Sequence, residues 1–329
     1  MRIEMAHGSG GKSTTELIGG IFGKYFGNEI LNRMEDAAVL ELGGSRVAFT
    51  TDSFVVKPLF FNGGDIGKLS ICGTVNDLLM MGAVPKYLTC GFILEEGLEV
   101  AQLERIVRSM KEAADEAGVV IAAGDTKVVE GSGGLFINTS GIGIVRKGAD
   151  ISARNAKPGD AVILSGSLGN HHACILSQRM GITNEIMSDC APLKDMVDNL
   201  LDAGIRVKTM RDVTRGGLAT VLNEIAESSS VSISIREESL VVDEAVRGFC
   251  DILGLDPLYM GNEGKMACIV DGEDAEKALA ITKGSKYGEK AEIIGSVKEA
   301  DIARVTLTTR LGGRRRVDVL VGEGLPRIC

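Results

Sequence analysis

A carboxylate inside an apolar run restricts the fold of this chain more than any other feature. In the segment Thr74 to Met81, TVNDLLMM, a helix is expected over residues 65 to 82, and Val75, Leu78, Leu79, Met80 and Met81 surround Asp77 on all its sides. An ionised side chain placed there must find hydrogen-bond donors, a cation or a metal, because burying it alone is costly. Four further aspartates share the problem: Asp36 in EDAAV, Asp52 in FTTDSF, Asp125 in AAGDTK and Asp212 in MRDVTRGG. Loop capping by aspartate accounts for Asp52 or Asp125 taken singly and accounts poorly for all five together. Oxygen ligands without His or Cys partners point to magnesium, which bridges one or two carboxylates to nucleotide phosphates.

The periodicity around these residues is that of an α/β (α+β) protein. Strands are expected at RVAFTTDSF, YLTCGFIL, GVVIAAGD and LFINTSGIGIV, interleaved with helices over 65 to 82 and 100 to 117. Several strands look adjacent, so mixed sheets are expected. The segment RKGADISARNAKPGD, residues 146 to 160, has no hydrophobic period and marks a boundary, with the linker placed near 146 to 159. Beyond it the strand AVILSG opens a second unit, with helices over 171 to 180, 191 to 204, 216 to 228 and 243 to 254 and strands at KMACIVD, AEIIGSV and VTLTTR. With 329 residues the chain accommodates two domains, read as 1–148 and 149–320, and a flexible tail over 321–329.

The balance of 36 Lys+Arg against 45 Asp+Glu, a net charge of -9, disfavours nucleic acid and anionic lipid as partners. No apolar stretch has the length of a membrane span, and MRIEMAHGSGG lacks the apolar core of an export signal, so a cytoplasmic protein is expected. Seven cysteines without a CxxC pair fit neither a disulfide framework nor a structural zinc site. Cys72, Cys90, Cys250 and Cys268 lie in apolar runs and read as small buried hydrophobes. Cys329 differs in kind, because a chain end offers no core to explain it.

A glycine-rich loop, Ala6 to Ser13 (AHGSGGKS), opens onto a helix in which Ser13 and Glu16 stand at capping-box spacing. Backbone N–H groups freed by Gly8, Gly10 and Gly11, with Lys12 and the helix start, favour a bound anion. A true P-loop follows a core strand, and only MRIEM precedes this one. His7 belongs to the loop, and His171 and His172 are adjacent, not at metal-binding spacing. Two polar islands remain, Lys127 in GDTKVV and Glu263 in GNEGKM, each open to reading as a plain surface turn.

The segments AHGSGGK, TTDSFVVKPLFFNGGDIGKLSICGTVND, GFILEEG, GDTKVV, RDVTRGGL, NEGK and PRIC together resemble the HypE family of hydrogenase maturation factors, the carbamoyl dehydratases. That family sits in the ATP-binding superfamily of aminoimidazole ribonucleotide synthetase, selenophosphate synthetase and thiamine monophosphate kinase. The resemblance implies a homodimer whose N-terminal domains join their sheets into a barrel-like core, with ATP and magnesium between domains. It implies that Asp52, Asp77 and Asp125 organise metal and phosphates, with Asn76, Asp36 and Asp212 beside them, while His7, Gly8, Gly10, Gly11 and Lys12 form an arm over the triphosphate. It implies that a carbamoyltransferase, HypF, loads Cys329, that ATP drives dehydration of the carbamoyl group to a thiocyanate, and that an iron-bearing HypC–HypD complex receives the cyanide. Glu263 would be the base and Lys127 an orienting cation or relay, a division the residues leave open. The same superfamily also holds a second reading, a small-molecule kinase or synthetase of the selenophosphate synthetase kind.

Overall fold

The computed structural model describes residues 3–321. Its first unit is a five-stranded sheet in the order β1-β2-β7-β5-β6, formed by β1 (Ala38–Leu42), β2 (Ser45–Phe54), β5 (Ala83–Glu95), β6 (Val120–Val129) and β7 (Leu135–Val145). A small hairpin of β3 (Phe60–Phe61) and β4 (Gly64–Asp65) precedes the main helix. Within this sheet only the neighbours β5 and β6 pair in parallel, joined by the helical crossover α4 (Val100–Ala117). The glycine arm forms two short helices, α1 (Lys12–Leu17) and α2 (Gly23–Phe26). Strand β7 buries alternate residues, as its sequence pattern requires of a sheet with one covered face.

The cover is α3 (Ile66–Met80), capped by Asp65, whose Oδ1 accepts from the N–H groups of Gly67 at 2.8 Å and Lys68 at 3.0 Å. Helix α3 is buried on every side, from Ile66, Leu69 and Ile71 through Val75, Leu78 and Met80. Close approach to the sheet depends on Gly73, where a Cβ would stand 2.8 Å from the Phe54 ring. The helix lies between its own sheet and the second unit, and one hydrophobic core runs through both, joining Ile71 and Leu79 to Cys174, Met196 and Val207.

The second unit is a seven-stranded sheet in the order β14-β13-β10-β12-β8-β11-β9. Its strands are β8 (Ala161–Leu164), β9 (Val207–Asp212), β10 (Ser232–Arg236), β11 (Met266–Val270), β12 (Glu292–Lys298), β13 (Arg304–Thr308) and β14 (Arg314–Val317). Its helices are α5 (Asn170–Arg179), α6 (Lys194–Asp202), α7 (Gly217–Ser229), α8 (Glu244–Leu253) and α9 (Ala275–Gly284). Strands β8 and β11 are apolar throughout because both faces are covered. Val162 and Ile269 pack with α7, while Ile163 and Cys268 pack on the opposite side with α5, α6 and α9.

Both sheets are mixed, as expected, and neither closes into a barrel within the chain. The segment expected as a boundary connects β7 to β8 without regular structure, yet it is fastened: Ile151, Ala153 and Ala156 are buried, and the Ser229 hydroxyl donates to the Ala153 carbonyl at 2.6 Å. Strands β1, β9, β10 and β14 and helix α9 lack a clear signal in the sequence. In β9, VKTMRD, the charges of Lys208 and Arg211 hide the period.

Candidate active site

Where the two units meet, a cavity of about 240 Å³ is walled by five carboxylates. From the first unit come Asp36, just before β1, Thr50 to Phe54 of β2, and Gly73 and Asp77 of α3. From the second come Asp212 at the end of β9, Thr214, Arg215, and Glu263 just before β11. Alternation along β2 turns Thr50 inward, and its hydroxyl stands 2.8 Å from Asp77 Oδ2 and 3.1 Å from the Asp36 carbonyl oxygen. Asp36 faces Arg211 Nε at 2.8 Å, and the Arg211 guanidinium also donates to Glu224 at 2.9 Å.

These charges are expensive to keep. Burial pushes the Asp36 carboxyl well above the usual range, outweighing the neighbouring Arg211 cation, and its Oδ2 is buried without a hydrogen bond. Asp77 is pushed up by burial and then by repulsion from Asp212, Asp52 and Asp36. Asp212 is raised to about 6, again chiefly by burial. Glu263 is buried and its carboxyl lies far above its ordinary value, through desolvation and then the nearby Cys190 and Asp212. Mutual repulsion and an orphaned carboxylate oxygen make a set of side chains that a hard divalent cation would relieve. No three His, Cys, Asp or Glu among the described residues are arranged as a ready cage. Magnesium does not ask for one, since it keeps waters and binds through one or two carboxylates together with phosphate oxygens.

The glycine arm reaches the rim of this cavity. Gly10 has φ +79, and a Cβ there would stand 2.8 Å from Arg215 Cβ, so only glycine lets the arm lie against Arg215. The Lys12 N–H donates to the Leu320 carbonyl at 3.0 Å, and a Cβ on Gly11 would meet that oxygen at 2.4 Å. The arm therefore bridges the rim and the last described segment. The side chains of His7 and Lys12 are engaged locally, His7 Nδ1 accepting from Glu4 N–H at 3.0 Å and Lys12 lying 3.7 Å from Glu16. Gly8 closes a short helical turn, Met5–Gly8.

Three other expected site residues lie off the cavity wall. Asp125 and Lys127 pair with each other at 2.7 Å on the exposed edge strand β6. Asn76 is buried with both ends of its amide in use, Nδ2 donating to the Ala191 carbonyl at 3.1 Å and Oδ1 accepting from Leu193 N–H at 2.9 Å. Cys329 lies outside the described residues. Thr50, Arg215 and Lys265 have no assigned role in the sequence expectations, although they stand inside the quoted segment that begins TTDSFVV and in RDVTRGGL and NEGK. The other six cysteines are free and buried. Among the described residues no helix is long and apolar enough to cross a membrane.

Two mixed α/β units meeting at an acid-lined seam define the class to which the chain is matched. The N-terminal domain of AIR synthase related proteins covers residues 34–145, and the C-terminal domain covers residues 157–308. Over almost its whole length the chain is similar to carbamoyl dehydratases HypE, at 48% identity to that of Azotobacter vinelandii (99% of this chain, 97% of that protein) and 45% to that of Escherichia coli K12 (99% of each). Among solved structures, it superposes on a HypE–HypF complex with a TM-score of 0.88 (51% identity, 92% of this chain and 99% of that one). A HypE in complex with ATP gives 0.84 (48% identity, 100% of both). The chain belongs to the HypE family of carbamoyl dehydratases, which are hydrogenase maturation proteins.

Proposed function

We propose that the chain uses ATP to dehydrate a carbamoyl group carried on the Cys329 thiol, leaving a thiocyanate that supplies cyanide ligands for nickel-iron hydrogenase maturation. The observation that carries this reading is the seam cavity of Asp36, Asp52, Asp77, Asp212 and Glu263, with the glycine arm between its Arg215 rim and Leu320. Cys329 lies nine positions beyond Leu320, a span of roughly 30 Å if extended. The relatives' names and the HypE–ATP complex support both the substrate and the nucleotide.

The carbamoyl oxygen is a poor leaving group. Transfer of the γ-phosphoryl group to it breaks the bond to ADP and forms a phosphate ester. Loss of the two N–H protons, with departure of that oxygen as phosphate, leaves S–C≡N. Asp36, Asp52 and Asp77, with Asp125, would hold magnesium, which supplies charge neutralisation at the phosphates. Asp212 and the arm, His7 to Lys12, would bind the nucleotide. Glu263, whose carboxyl burial raises well above its ordinary value, would take an amide proton, with Lys127 as orienting cation or relay. Asp125 and Lys127, off the wall of this cavity and exposed on β6, would serve such a site from a second copy. The open edge of β6 and the exposed Phe49, Tyr87, Ile93 and Phe136 on the uncovered face of the sheet favour a homodimer through this face. HypF is the expected carbamoyl donor, as the HypE–HypF complex suggests, and a HypC–HypD complex the acceptor.

The test is mass spectrometry of the peptide bearing Cys329 after incubation with HypF, carbamoyl phosphate and ATP. The expected product is a carbamoyl adduct that loses one water only when ATP is present. An adduct that persists with ATP refutes the dehydratase reading. A Cys329→Ala chain should carry no adduct at all, whereas a small-molecule kinase or synthetase would keep its activity.

A further inference from the structure

Glu263 is held by its backbone from two directions, and both holds come from one segment. In residues 188–193, between α5 and α6, Asp189 Oδ1 accepts from the Glu263 N–H at 3.0 Å, and the Ala191 N–H donates to the Glu263 carbonyl at 3.2 Å. The fit is tight enough that a Cβ on Gly264 would stand 2.0 Å from the Asp189 carbonyl oxygen. The same segment is tied to the first unit. Asn76 holds Ala191 and Leu193, and the Ser188 N–H donates to the Asn62 carbonyl at 2.8 Å. Asn76 immediately precedes Asp77, so one strap joins the helix carrying Asp77 to the backbone carrying Glu263, across the seam.

We infer that Asp189 is a positioning residue: through the 188–193 strap and its Asn76 anchor it sets where the Glu263 carboxylate stands in the cavity. This rests on the proposed role of Glu263. Asp189 does not line the cavity, and its Oδ1 is spent on the Glu263 N–H. Its Oδ2 is buried without a hydrogen bond, so an amide in its place would keep the acceptor that does the holding. Lys265, buried two residues beyond Glu263, faces Asp189 and lowers the cost of its charge.

The experiment measures ATP-dependent water loss from full-length chain loaded at Cys329 by HypF and carbamoyl phosphate. Displacing a reacting group by about 1 Å costs on the order of 100-fold in rate, so Asp189→Ala should slow water loss at saturating ATP by roughly 10- to 100-fold. The ATP concentration for half-maximal rate should stay within about two-fold, because Asp189 touches no proposed nucleotide contact. Asp189→Asn should recover the parent rate to within about three-fold, and Asn76→Ala should slow the reaction without altering that ATP concentration. An Asp189→Ala chain as fast as the parent, or an Asp189→Asn chain as slow as Asp189→Ala, overturns the inference. If Asp189→Ala does not fold, Asp189→Asn and Asn76→Ala decide: the first fast and the second slow supports it, and any other pairing overturns it. Glu263→Gln is run alongside. Full activity there removes the base reading itself, whereas a dead Glu263→Gln beside a fully active Asp189→Ala removes only the strap.

Discussion

Asp77 and Asp125 look alike in the sequence, each an aspartate beside an apolar run, and the fold treats them in opposite ways. Asp77 lines the seam cavity among Asp36, Asp52 and Asp212, where burial and repulsion raise its pKa. Asp125 lies exposed on β6, where the hydrogen bond from Lys127 lowers its pKa. One carboxylate is kept at a cost to the fold, and the other costs nothing. A strained cluster inside one chain points to the part of a site that the chain builds alone, and a relaxed exposed pair points to a part that needs a second surface.

The largest effect expected from this contrast is at Asp77. Asp77→Asn keeps the shape and the contact with Thr50 while removing the charge that would face magnesium and phosphate. ATP-dependent water loss should fall by about 10²- to 10³-fold, the usual cost of deleting one electrostatic contact to a reacting group. A variant within three-fold of the parent, on the order of a missing surface contact, would put the seam outside the chemistry.

At Asp125 the expected effect depends on assembly. Asp125→Asn should melt at the parent temperature, since the side chain is exposed, and yet lose activity if it serves the neighbouring copy's cavity. Mixing Asp77→Asn with Asp125→Asn chains then restores activity: a mixed two-fold dimer has one intact site, and random exchange gives about a quarter of the parent rate. If the mixture stays inactive after exchange, the two residues serve one chain's site or none jointly, and the comparison between them breaks.

How much of this was legible beforehand follows from the same physics. Helices α3 and α4 and strand β7 were plain because long apolar periods or strict alternation leave little choice. Asp36, Asp52, Asp77 and Asp212 were found because a carboxylate beside apolar neighbours is visible locally. That they share a wall with Glu263 was not visible, because it depends on β9, whose charged residues hide its period, and on the packing of two sheets across α3. Asn76 shows the limit most sharply. Its neighbour Asp77 faces the cavity, yet its own amide turns to the 188–193 strap, and only the inter-unit register decides between them.

The smallest expected effect, on stability, separates strain from structure at Asp77. A carboxyl whose folded pKa is raised binds a proton in the folded chain at pH values where the unfolded chain has released it, so its destabilising effect fades as pH falls toward the unfolded value of 3.8. Asp77→Asn should therefore melt a few degrees above the parent at neutral pH, where roughly 1 kcal/mol moves a chain of this size by about 2–4 °C, and lose that advantage in acid. Buried His172, lowered to about 3 by desolvation, acts in the opposite direction, since it must stay neutral while the unfolded chain takes up a proton. It acts equally in both chains, so the difference between their melting temperatures isolates the carboxylate. Scanning fluorimetry from about pH 7.5 down toward 4 without nucleotide measures it, and an Asn advantage that persists or grows in acid would mean that it does not come from the buried charge of Asp77.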